Sequence, residues 1–383
     1  MIYLDSHSVS RPCTSSVERM LPYLQTAWGP SFSPNRFGQD LLADCAAQYP
    51  AIYEFLGAQP KDLFVFTSSG AEAVNQVLWS VFLEISRKEG KCHFITSCIE
   101  DAPTMQALKR LEELGCYVKI APVDANGRID VEELKRLINP RTALISVTAA
   151  QGLTGVIQPI EEIAQLAQEK NILLHVDASY SIGKTYLSFA DSGINYLTFS
   201  GDRIHAVKSS GALLAKEGSP LVPFILGGSE QGGLRGGAFD APSFMALVAA
   251  LQQTSLYLDA MGLEIVRLRD LLEQEIIRYV PAAKPFFTEA LRLPNTTAIF
   301  FPNVHHEALL YFLNRKGVCA TAGGSYSQHL HRLLTATKIE EKEAASSLSF
   351  SLSRMTTEEE IKNAARLIGE AVSSLQLLSK ALS

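Results

Sequence analysis

The sequence predicts an α/β protein, with a mostly parallel central sheet in a large domain and a smaller C-terminal α/β domain. Three observations predict it. Short β-branched or apolar runs alternate with helical periods through the first two thirds of the chain, which calls for crossover connections between parallel strands. The pattern changes after about Pro242. With 383 residues, 47% of them apolar and 19% charged, the chain can bury one large core or two.

The elements follow in order. Residues 63–67 read as a strand, and Val74, Val77, Leu78, Val81, Phe82 and Ile85 then fall at the spacing of a helix with one buried face. Strand 94–96 leads to a helix around 105–114, and strand 144–148 to a helix around 160–170. Runs at 172–176, 196–199 and 211–214 complete the sheet. Beyond Pro242 come one long helical stretch over 244–280, a strand at 297–301, a helix at 307–316, a strand at 318–321 and a helix at 358–378. The expected division is 15–252 for the large domain and 1–14 with 253–383 for the small one. Between them, the glycine-rich segment 227–237 reads either as a flexible linker or as a loop at a site or subunit boundary.

Lys plus Arg total 34 and Asp plus Glu 40, a net charge of −6 without long runs of one sign, so nucleic acid and anionic membrane are not expected partners. No apolar run approaches the ~18–20 residues that span a bilayer, and the first residues lack the order of a signal peptide. A soluble, cytoplasmic protein is expected. The six cysteines (Cys13, Cys45, Cys92, Cys98, Cys116, Cys319) form no C-x-x-C pair, which argues against a metal site and a disulfide framework.

Two places could carry chemistry. The turn Thr67-Ser68-Ser69-Gly70-Ala71-Glu72 joins a strand to a helix N-terminus, where free N–H groups favour an anion such as phosphate; the same residues also serve as ordinary helix caps. Asp177 ends the run Ile172-Leu173-Leu174-His175-Val176, at the strand edge where open α/β sheets hold ligands. It could pair with a protonated ring nitrogen or cap the following segment. His175 reads as a satisfied core residue.

Taken in order, Tyr3-Leu4-Asp5, Ser68-Ser69-Gly70-Ala71, His175-Val176-Asp177-Ala178, Phe199-Ser200-Gly201, Gly211-Ala212-Leu213, the Arg235 loop and Met355-Thr356-Thr357-Glu358-Glu359-Glu360-Ile361 resemble the cysteine desulfurases. These belong to the class V aminotransferase group of pyridoxal-phosphate (PLP) enzymes. The resemblance runs from about Ile2 to Leu378. It implies the fold-type I architecture, PLP as cofactor, and a homodimer with shared active sites. It also implies that Asp177 faces the pyridine nitrogen, while Ser200 and the Ser69-Gly70 turn hold the phosphate.

The resemblance fails at the reaction centre. Where the family has Ser-Gly-His followed by the Schiff-base lysine, this chain reads Ser200-Gly201-Asp202-Arg203. A guanidinium stays protonated and offers no lone pair to an aldehyde. Asp202 places a negative charge where a phosphate dianion should sit; at ~4 Å and an effective dielectric of ~20, two like unit charges repel by roughly 4 kcal/mol. Asp101 stands for the histidine that stacks over the pyridine ring, which removes a flat base of near-neutral pKa. The cofactor-contacting asparagine falls at Gly152, the glutamine at Tyr180, the phosphate-binding threonine at Ala71 and the threonine from across the dimer at Ala238. The nucleophilic cysteine falls near Gly324, five positions after Cys319. The arginine that clamps the substrate carboxylate falls at Ser349, although Arg354 is kept.

The scaffold is therefore expected to persist with a dismantled reaction centre: a desulfurase-related pseudoenzyme without covalently bound PLP. It would act as a dimeric scaffold or as the partner of a sulfur-transfer or iron–sulfur scaffold protein. Two alternatives stand beside it. One is an active PLP enzyme of altered chemistry anchored on Lys208, Lys184 matching a family lysine outside that role. The other is a protein that binds another small molecule in the vacated pocket around Arg203, Asp202, Asp101 and Tyr180.

Overall fold

The computed structural model describes residues 1–324 and 329–382. Strand β1 (Ile2–Tyr3) is short. The next seven strands are β2 (Leu63–Thr67), β3 (His93–Ser97), β4 (Tyr117–Ala121), β5 (Thr142–Thr148), β6 (Leu173–Asp177), β7 (Tyr196–Ser200) and β8 (Gly211–Ala215). They form one sheet in the order β2-β8-β7-β6-β5-β3-β4. All neighbours from β7 to β4 pair in parallel, and β8 runs antiparallel between β7 and β2. The mostly parallel sheet expected from the sequence is thus present, with one strand reversed.

Both faces of this sheet are covered, as a parallel sheet requires. On one face, Val65, Phe94, Leu144, Tyr196 and Leu213 meet Val74, Val77, Leu78 and Val81 of the helix Gly70–Val81. The intervening residues Phe66, Ile95, Ile145, Leu174, Leu197 and Phe199 point the other way, toward Ile163 of the helix Ile160–Glu169 and toward Phe244, Leu247 and Leu251 of the helix Ala241–Ala260. The long helical stretch continues through a π-turn, Met261–Ile265, into the helix Val266–Tyr279.

Three more strands, β9 (Lys284–Pro285), β10 (Thr296–Phe300) and β12 (Ser347–Ser351), make an antiparallel sheet, while β11 (Val318–Cys319) pairs in parallel with β1. A separate core joins Ile2 and Leu4 to Leu268, Leu272, Ile276, Phe301, Leu348 and Phe350, and to Ile361 and Ile368 of the C-terminal helix Glu358–Leu382. The N-terminal strand therefore packs with the C-terminal elements. No helix among the described residues is long and apolar enough to cross a membrane.

Segment 227–237 does not hang free. The Gln231 amide accepts from Phe66 N–H and donates to Phe66 C=O, both at 2.8 Å, pairing with edge strand β2 as another strand would. Gln76 donates to Leu234 C=O at 2.8 Å. The linker reading gives way to a docked loop.

Candidate functional site

The site lies at the carboxyl ends of β5, β6 and β7, where it meets the start of helix Gly70–Val81. Asp177 is the last residue of β6 and is buried. Its Oδ1 accepts from Ser179 N–H at 2.9 Å and from Ser179 Oγ at 2.6 Å. Burial pushes its pKa up to about 6 against these bonds. His175, one strand turn earlier, is fully buried between Ser146 Oγ (2.8 Å) and Thr198 Oγ1 (2.9 Å), and burial holds its pKa down near 3. It is a satisfied core residue, as the sequence suggested.

Ser69 is the N-cap of helix Gly70–Val81, its Oγ accepting from Glu72 N–H at 3.2 Å. The Glu72 carboxylate reaches back to Ser68, accepting from its N–H at 2.8 Å and its Oγ at 2.6 Å, and pairs with Arg235 at 3.0 Å. The hydroxyls at this turn are thus engaged in capping. Gly70 brings the turn against Ser200 and Ser179, where a Cβ would lie 3.2 and 3.3 Å from their side chains. Ser200 Oγ in turn donates to Asp202 Oδ1 at 2.7 Å. Ala71 lies exposed on the first helical turn.

Arg203 follows in a short 3-10 turn, Gly201–Arg203. Its guanidinium donates to Ser8 C=O, lies 3.6 Å from the Asp202 carboxylate and stands over the Tyr180 ring at 5.2 Å. Its Nε is buried without a hydrogen-bond partner. Tyr180 O–H donates to Asp101 Oδ2 at 2.5 Å, and the buried ring packs so closely on Gly152 that a Cβ there would meet Tyr180 Cε1 at 2.4 Å. Next to Asp101, buried Glu100 accepts from Ser97 Oγ and, at 3.0 Å, from Thr148 N–H; desolvation raises its pKa to about 8.

The structure thus brings together Ser69, Gly70, Ser200, Asp202, Asp177, Arg203, Tyr180, Asp101 and Gly152. It sets other positions apart. Lys208 is exposed, five residues beyond Arg203, whereas Lys184 is half-buried and donates to Tyr180 C=O at 2.9 Å. Ala238 and Gly324 are exposed. Ser349 is fully buried in β12, its Oγ donating to Leu153 C=O at 2.7 Å. Sequence reasoning missed Ser179 as the partner of Asp177. It also missed the N-terminal segment: Ser8 meets Arg203, and Ser10 Oγ donates to Asp202 C=O at 2.7 Å, across 192 residues of chain. No local pattern announces such contacts. Among the described residues no group of three or more His, Cys, Asp or Glu could hold a metal ion.

Comparison with known proteins supplies the relatives. The aminotransferase class-V family model matches residues 2–364. The chain is 33% identical over 382 residues to a cysteine desulfurase of Nostoc sp., covering 99% of this chain and 94% of the relative. It is 31% identical over 381 residues to the cysteine desulfurase NifS of Azotobacter vinelandii, with the same coverage of 99% and 94%. A solved NifS-like protein superposes with a TM-score of 0.90 at 28% identity, covering 97% of this chain and 99% of its own. The apo structure of a cysteine desulfurase from Thermococcus onnurineus shares the fold, with a TM-score of 0.83 at 17% identity and coverage of 97% and 95%. On this full-length agreement in sequence and fold, the chain belongs to the class V aminotransferase family and stands among its cysteine desulfurases.

Proposed function

We propose that this protein keeps the desulfurase scaffold but does not carry PLP covalently, and that it works by binding a partner rather than by PLP-dependent catalysis. Family membership brings the expectation of PLP; the residues around Asp177 do not fit it. One observation carries this reading: at the position of the aldehyde-binding lysine stands Arg203, fixed by Ser8, Asp202 and the face of Tyr180. A delocalised cation whose proton is never lost at protein pH cannot form the bond. The surroundings agree. The Tyr180 ring lies over Gly152 and beneath Arg203, among the residues that the resemblance assigns to the cofactor. At the phosphate end, Ser200 Oγ donates to Asp202 and the Ser68 N–H and Oγ to Glu72, so a dianion would compete for these donors with two carboxylates already paired to Arg203 and Arg235.

A closed-in Tyr180 also disfavours a roomy vacated pocket for another small molecule. An active enzyme anchored on Lys208 would need that exposed side chain to be carried to the strand ends. The binding partner follows from the resemblance and from surface chemistry. Trp28, Phe32, Phe37 and Leu42 of the N-terminal region are exposed, with the Trp28 and Phe37 rings 5.7 Å apart. A second copy of the chain would cover such an apolar patch, and a sulfur-transfer or iron–sulfur scaffold protein is the heterologous partner the family suggests.

The test is reductive trapping. Purified protein incubated with PLP and borohydride should gain no pyridoxyl mass on any lysine, and should release no sulfide from cysteine. A stable adduct, on Lys208 or elsewhere, would overturn the proposal.

A further inference from the structure

Where the central-sheet core meets the C-terminal one, a cavity of about 20 Å³ is lined by Lys184, Arg203, His205, Thr254, Tyr257 and Arg354, with Ile182 and Met261 among its apolar walls. Three of these side chains are cations, and none of the lining residues is a carboxylate. Among the described residues, neither Lys184 nor Arg354 has a carboxylate within ion-pair distance. Arg354 makes two long hydrogen bonds of 3.4 Å, to Thr254 Oγ1 and Gln253 Oε1, and stands 5.2 Å from the Tyr257 ring centre. Arg203 shares its charge with Asp202, whose Oδ1 lies 3.6 Å from the buried Nε, beyond hydrogen-bond distance.

Like charges gathered in a partly desolvated space are costly unless countered. The strain is visible at Lys184, where burial, aided by Arg203, brings the pKa down to about 7. His205 adds no positive charge to the cluster, since burial holds its pKa near 4. A water-sized guest needs roughly 10–15 Å³, so the space admits one atom-sized ion, with the exposed Tyr257 at its mouth.

We propose that this cavity is a binding site for a single halide ion, chloride under ordinary conditions, held between the Lys184 ammonium and the Arg203 and Arg354 guanidinium groups. The ion would join the two cores, because Lys184 and Arg203 extend from the ends of β6 and β7, while Arg354 follows β12. The proposal uses Arg203 only as a cation and does not rest on whether the chain binds PLP.

Thermal unfolding of the full chain in sodium chloride and in sodium gluconate, at equal ionic strength, tests it. Chloride should raise Tm by about 1–3 °C and the rise should saturate with concentration, as mass action at one site requires. Equal Tm values in the two salts, or a rise that stays linear, would overturn the proposal. Lys184→Met and Arg354→Met should each abolish the chloride response, and a wild-type response in Lys184→Met counts against it. Because either variant could fail to fold, wild-type crystals grown in bromide give an independent reading. An anomalous peak inside the cavity is expected, and its absence there sinks the site while leaving the pyridoxyl trapping result untouched.

Discussion

Tyr180 and Gly152 make sense only together. A Cβ at position 152 would lie 2.4 Å from Tyr180 Cε1 and 2.6 Å from Cζ, so an asparagine there, as in the family pattern, cannot coexist with the tyrosine ring as it is placed. Two departures that look like separate losses in the sequence are one exchange of volume. Gly152→Ala should therefore cost about 1–3 kcal/mol through overpacking, since Tyr180 is tethered to Asp101 and covered by Arg203. In a Tyr180→Ala background the same change should cost little, a coupling that urea denaturation of the four-variant cycle would measure. Additive costs would mean the ring moves freely. Glu100 allows a second test at this scale. Desolvation lifts its folded pKa to about 8, above its ordinary value near 4.5. Its contribution to stability is therefore full below about 4.5 and is lost as pH rises through 8. Glu100→Gln retains an acceptor for Ser97 and Thr148, so its stability relative to wild type should climb between pH 5 and pH 9, at roughly 1.4 kcal/mol per unit of the abolished shift. Thermal melts at both ends of the range decide it, and parallel curves would contradict the burial argument.

Among the elements, those that carried a repeating pattern were the legible ones. Strand β5 is buried at every position, with Ala143, Leu144, Ile145 and Val147 apolar along it, and helix Gly70–Val81 repeats its apolar residues on one face. The helix Thr14–Gln25 escaped notice because it contains Pro22 and leaves Val17, Leu21 and Leu24 exposed, so its apolar residues do not mark a buried stripe. Strands β1 and β9 have two residues each, too few to show a period, whereas β11 lies within the strand expected at 318–321. At the site, Asp177 and Ser69 stand out because strand ends and helix starts are visible in sequence, whereas Ser200 comes into view only through the resemblance. Where the Tyr180 ring lies and what Arg203 grips could not, since Ser8 and Arg203 are brought together only by the closed fold. The glycine-rich loop is the same lesson in reverse: composition left a flexible linker and a loop at a boundary equally open, whereas one side chain, Gln231, supplies both halves of a strand-like pairing to Phe66. Gln231→Leu should cost about 1–3 kcal/mol by removing both bonds at the β2 edge, measured by chemical denaturation. No change would mean that water replaces the amide at that edge without loss.

At the scale of the whole molecule, the altered positions are contributed by segments far apart in the chain, yet they meet around one guanidinium. Asp101 precedes the helix Ala102–Glu113, Gly152 lies in the turn after β5, Tyr180 in the turn after β6, and Arg203 in the turn after β7. Ser8 comes from the N-terminal segment, whose strand β1 packs with the C-terminal core. The rebuilt centre is thus a cooperative unit: Tyr180 needs Gly152, Asp101 takes the Tyr180 proton donor, and Arg203 covers the ring. Restoring one residue should therefore not restore the function. Arg203→Lys supplies an amine, but it leaves the Tyr180 ring packed on Gly152 and the Ser200 and Ser68 donors turned to Asp202 and Glu72. We expect this single variant, treated with PLP and borohydride, to gain no pyridoxyl mass, as for wild type. Combining it with Tyr180→Gln, Gly152→Asn, Asp101→His and Asp202→His empties the ring space, returns the stacking base and removes one repelling charge, and a lysine adduct should then become detectable by mass spectrometry. A full adduct on Arg203→Lys alone would show that the lost amine is the only barrier and that the surrounding exchanges are incidental to it.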